Sequence, residues 1–130
     1  MTIHEMLQQV ALFSSGRYRR EKDVSSLEIP LPDGRRQVIY GRIGVVRGEK
    51  AGILSTYVGE CGPGVDFPRL LSINASLRYS RIALLEGEMI GLIAFFEPAA
   101  TSIRECAPIL QEMAAVADEL ERAASGRDER

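Results

Sequence analysis

One histidine, two cysteines and a few clusters of charge are the side chains through which this chain of 130 residues could do chemistry. His4 would act as a general base only with a nucleophile or an acid within hydrogen-bond reach. It falls on the first turn of a helical pattern, off the Ile3, Leu7, Val10 stripe, which marks a surface side chain. Cys61 precedes Gly62-Pro63-Gly64 at a possible helix entrance, where a thiol can become more acidic. Asp66 stands between as the cap and no His or Lys adjoins the cysteine, so an inert loop thiol is expected. Cys106 is expected to pack near the start of the last helix. A single histidine and the absence of a CxxC pair argue against zinc. The glycines around Pro63 are not followed by Gly-Lys-Ser/Thr, so they form no phosphate loop. Asp118, Glu119 and Glu121 read as the solubilising outer side of a helix. The expectation is a protein without catalytic residues, metal ligands, cofactor or small-molecule substrate, and therefore not an enzyme.

Charge points the same way. Arg17, Arg19, Arg20 and Lys22, with Tyr18 among them, form the one basic cluster, and Glu21 and Asp23 dilute it. With a net charge of −2, the chain is not expected to bind nucleic acid or an anionic membrane. No apolar run approaches the roughly 18 residues that cross a bilayer. The start of the chain is an acidic amphipathic pattern rather than a secretory leader, so a cytoplasmic location is the default expectation. The length suits one domain, taken as residues 1–124, with a disordered charged tail at 125–130.

The elements that would have to position these residues can be read from periodicity and punctuation. Thr2 and Glu5 form a capping box ahead of Ile3, Met6, Leu7, Val10 and Phe13, and Gly16 supplies a stop, which predicts a helix over 3–15. Leu27 to Leu31 alternates as a strand, and Pro30, lacking an amide donor, makes it an edge. Asp33-Gly34 turns the chain into a strand over 36–46, followed by a strand over 51–58. Asp66 and Pro68 open a second helix with Phe67, Leu70, Leu71, Asn74 and Ala75 on its inner face. Strands over 79–85 and 88–96 flank a Glu86-Gly87 turn. Ser102 and Glu105 form a second capping box ahead of a long helix through Ile103, Leu110, Met113 and Ala124. Pro108 either kinks that helix or marks a fresh start near Ala107. The result is an α+β fold in the order α-β-β-β-α-β-β-α, with a five-stranded antiparallel sheet and three helices.

Met89 to Phe96 carries no charge and scarcely alternates. A strand apolar on both faces needs cover on both. Helices on one side and a loop on the other would supply it, or a second copy of the chain would. The second reading is preferred, with Met89, Ile90, Leu92, Ile93, Phe95, Leu110 and Met113 as the candidate interface of a homodimer.

The element order, with LEIPLPDGRRQVIYGRI as a first hairpin, LLSINASLRYSRIALLEGEM through the second helix and AVADELE ending the last, resembles the type III secretion chaperones (the Tir-chaperone group) and the YbjN-like proteins. The resemblance covers about residues 3–122. It implies a homodimeric, chaperone-like or regulatory protein without enzymatic activity that binds extended segments of other proteins. On that reading a partner segment would lie along the Leu27, Ile29, Leu31 edge, or in a groove of Leu7, Val10 and Phe13. The alternative is a roadblock- or profilin-like module acting on a small GTPase or signalling protein. Such folds place two strands before the second helix, where three are read here.

Overall fold

Six antiparallel strands form one open sheet in the order β1-β2-β3-β4-β6-β5. The computed structural model describes residues 2–32 and 34–128. Helix α1 (Ile3–Ser14) leads into β1 (Arg17–Glu21), β2 (Val24–Pro30), β3 (Arg36–Val46) and β4 (Glu49–Glu60). Helix α2 (Phe67–Asn74) follows, then β5 (Arg81–Leu85), a short 3-10 turn over Glu86–Glu88, β6 (Met89–Phe96) and α3 (Ile103–Asp128).

The sheet has six strands rather than the expected five, and the additional one is β1. Arg17–Glu21 pairs with β2 from Arg17 against Glu28 to Glu21 against Val24. Only Tyr18 of this strand turns inward, so the segment looks like a polar loop in sequence although its backbone makes a full ladder. The expected edge, Leu27 to Leu31, is therefore covered. Pro30 ends β2 opposite Arg36, where the ladder closes and a missing amide costs little. The true edges are β1, protected by its charges, and β5.

Local signals set the helix ends. Thr2 Oγ1 accepts from the Glu5 amide at 3.1 Å, and Asp66 Oδ1 accepts from the Arg69 amide at 3.1 Å. Ser102 and Glu105 make the reciprocal capping box. Pro108 sits inside a continuous α3, which neither ends nor restarts there. The helix also continues past Ala124 through Asp128, into the segment expected to be a disordered tail, whose last two residues, 129–130, lie outside the described residues.

Strand register assigns the two faces of the sheet. Leu27, Ile39, Gly41, Leu54, Ala94 and Leu92 line one face, and α1 and α3 pack on it. Ile3, Met6, Leu7, Val10 and Ala11 of α1 are buried there, with Cys106, Leu110, Met113, Ala114 and Ala117 of α3. Each large apolar side chain removed from water in this way stabilises the fold by roughly 1.5–3 kcal/mol. Gly41 lets α1 approach the sheet, since a Cβ there would collide with Leu7 Cδ1. The opposite face carries Val38, Tyr40, Ile53, Tyr57, Ile93 and Phe95. Tyr40 and Tyr57 meet edge to face at 5.8 Å, and Phe95 is 51% exposed.

Candidate functional site

Helices α2 and α3 do not close over the sheet between them. A groove of about 780 Å³ separates them, with the ends of β4 and β6 as its floor. Val58, Ile90, Val65, Leu70, Ile73 and Leu120 give it apolar walls, and Glu60, Asp66, Arg69 and Glu121 give it charge. Its shape follows from two local features. The β4–β6 register shifts between Tyr57 and Gly59, a bulge that bends the end of β4 beneath the groove. The Gly62-Pro63-Gly64 loop then lifts the chain to the Asp66 cap, and α2 comes down against β5. Helix α2 is amphipathic, yet none of its residues is buried. Leu70 and Ile73 are its apolar residues on the groove, whereas Phe67 and Leu71, expected on its inner face, are 46% and 69% exposed and turn toward a smaller hollow against Ile82 and Leu84 of β5.

Polar bonds hold both walls in place. Asn74 of α2 donates to the Ile82 carbonyl at 3.1 Å and accepts from the Ile82 amide at 2.6 Å, occupying the open edge of β5 as a strand would. Glu112 of α3 accepts from the Arg78, Tyr79 and Ser80 amides and from the Ser80 hydroxyl, all within 2.8–3.0 Å. Burial works against the ionised Glu112, but these bonds outweigh it and hold its carboxyl below the usual range. Behind the groove, Gln37 donates to Thr56 Oγ1 at 2.7 Å, and Thr56 donates to the Val38 carbonyl at 2.6 Å. Gln37 also donates to the Tyr57 carbonyl at 3.2 Å. Burial raises the Glu121 carboxyl, and Asp118 raises it further.

The carboxylates expected on a solubilising face divide. Glu119 is exposed. Asp118 is buried and bonds Arg35 at 2.8 Å, with Arg122 at 3.9 Å. Glu121 is half-buried at the groove. The face was misassigned because Arg35 lies 83 residues away in sequence, so the pairing has no local signature.

Of the residues named as a dimer interface, Ile90, Leu92, Leu110 and Met113 are buried within the chain's own core or beneath the groove. Met89 and Ile93 are half-buried and Phe95 is exposed, and these three share the uncovered face. Of the residues named for a partner, Leu7, Val10 and Leu27 are core, Ile29 and Leu31 are half-buried, and Phe13 is 80% exposed at the end of α1. The named sets therefore form no single surface, and the groove draws on only Ile90 among them.

His4 is not the free surface residue expected. It is half-buried, and its Nδ1 bonds Ser25 Oγ, which also bonds Tyr18 Oη at 2.7 Å. The pairing juxtaposes a base and a hydroxyl, but Ser25 is fully buried, so no carbonyl carbon can approach it. Its role is to tie α1 to the β1–β2 hairpin. Burial lowers the His4 pKa and Arg20 lowers it further, while Asp23 opposes them. Cys106 is buried as expected, and burial pushes its thiol up to about 11, which leaves it protonated and inert. Among the described residues no three His, Cys, Asp or Glu side chains could hold a metal ion, and no helix is long and apolar enough to cross a membrane.

No protein-family model matches this chain, and no curated protein matches it in sequence.

Proposed function

We propose that this chain is a non-enzymatic protein-binding module, chaperone-like or adaptor in character, and that a segment of its partner lies in the groove between α2 and α3. One observation carries this reading: an amphipathic helix, α2, stands beside an apolar groove of about 780 Å³ and buries none of its own residues. An unfilled apolar cleft with a few converging polar groups is the default binding-site hypothesis in a small domain. The groove replaces the Leu27–Leu31 edge as the place for a partner, since β1 already pairs there.

The element order supports the secretion-chaperone and YbjN-like resemblance as a proposal about fold family. With β1 set aside, the remaining order is α-β-β-β-α-β-β-α. The roadblock- or profilin-like alternative is less well supported, since four strands precede α2 instead of two. The homodimer also stands as a proposal, now resting on Met89, Ile93 and Phe95 of the uncovered face.

Light scattering from a denatured client diluted into buffer tests the function. The protein is expected to reduce scattering, Ile73→Glu in the groove to abolish the effect, and Phe95→Ser on the uncovered face to leave it intact. No reduction by the unaltered protein, or loss with Phe95→Ser alone, would refute the reading.

A further inference from the structure

The groove is apolar in its depth and acidic at its margins. Glu60 closes the end of β4, Asp66 caps α2 and Glu121 projects from α3, against the single cation Arg69 among the described lining residues. Val58, Ile90, Leu70, Ile73 and Leu120 lie between them. Three carboxylates around an apolar trough complement one kind of ligand, a segment that offers apolar anchors to the floor and a Lys or Arg to the rim. Accordingly, we infer that the partner segment is basic and amphipathic, an inference that rests on the groove being the binding site.

Two features of the site sharpen this. The Asp66 carboxylate is fixed by its bond from the Arg69 amide, so one rim charge is held in place before any ligand arrives. Glu121 is half-buried at the groove, where burial disfavours its charge. A cation arriving beside such a carboxylate gains more than one meeting a fully solvated carboxylate. Lys and Arg also suit the geometry, because their methylene stems can lie along apolar walls while the charge reaches the rim. An acidic segment would face three like charges and only Arg69 in compensation.

The uncovered sheet face does not offer this match. Its exposed aromatics Tyr57 and Phe95 share that face with charges of both signs, Arg42 and Arg81 with Glu28 and Glu49. Arg81 is already bonded to the Leu77 and Ser80 carbonyls.

The test is fluorescence anisotropy with three labelled probes: a short amphipathic peptide of leucines and lysines, its leucine–glutamate counterpart, and a serine–lysine control. The leucine–lysine peptide is expected to bind at least about tenfold more tightly than either of the others. Glu60→Lys is expected to narrow or reverse the preference, and Glu121→Gln to weaken the leucine–lysine peptide while Asp66 and Glu60 remain. Circular dichroism melts confirm that each variant folds. Should the two leucine peptides bind equally and Ile73→Asp abolish both, the charge selection is wrong and the groove reading stands. Should no peptide bind, or binding survive Ile73→Asp, both fail. Sedimentation of the protein alone completes the set: a two-chain mass that falls to one chain with Ile73→Asp would make a second copy the occupant and overturn the inference.

Discussion

Helices α1 and α2 are both short, both capped at the N-terminus by a side-chain oxygen, and both amphipathic, yet they have opposite fates. Helix α1 buries five residues against β2, β3 and α3. Helix α2 buries none and touches chiefly β5. Their sequences alone would not separate them, because an apolar stripe states what a helix can bury and not whether anything is there to bury it. Stability is concentrated at the α1 end of the sheet. The α2 end is held by polar bonds from Asn74 and Glu112 and leaves its apolar side chains partly or fully exposed. Binding elements are commonly drawn from such weakly buried parts of a fold.

Four substitutions can break or sharpen this contrast, and the largest effect belongs to α1. Leu7→Ala removes a fully buried side chain packed over Gly41, and is expected to cost about 2–5 kcal/mol in a urea titration. A loss below about 1 kcal/mol would mean that α1 is no better anchored than α2.

Next comes Glu112→Ala, which frees the segment leading into β5. It is expected to cost about 1–2 kcal/mol at neutral pH, kept small because solvent reaches the carboxylate. Its folded-state pKa lies below the unfolded value, so its contribution is present above the unfolded value and is lost as pH falls through the folded one. Titrations of both proteins should therefore differ near pH 7 and converge in acid. A constant gap across that range would contradict the assignment.

Asn74→Ala is expected to cost about 1 kcal/mol and to open the Ile82 backbone at the β5 edge. Light scattering on concentrated samples should rise. Unchanged scattering would show that the edge is protected by other means. The smallest effect belongs to Leu71→Ala on α2, expected within about 0.5 kcal/mol of the unaltered protein. A loss resembling that of Leu7→Ala would erase the distinction between the two helices.

The contrast also explains which parts of the molecule are legible from sequence. The Ser102 capping box, the Thr2 half of the first one and the Asp66 cap depend on neighbours a few residues apart, and these hold in the structure. Strand β1 is hidden because RYRRE pairs through its backbone while showing water four polar side chains. The groove is partly legible: the segment from Leu70 to Ile90 supplies three of its apolar lining residues, Leu70, Ile73 and Ile90, but helical spacing alone cannot reveal that α3 stays away from α2. The bonds of Asp118, Glu112 and Ser25 connect residues 83, 32–34 and 21 apart, and no local pattern records them.

Hydrogen–deuterium exchange with and without the leucine–lysine peptide tests the central claim most directly, since it reports where the segment lies. The expected result is slowed exchange at Val58 to Ile73, at Ile90 and along α3 near Leu120, with Tyr40 and Phe95 unchanged. Protection confined to the Tyr40, Tyr57 and Phe95 face, with none across α2, would contradict it.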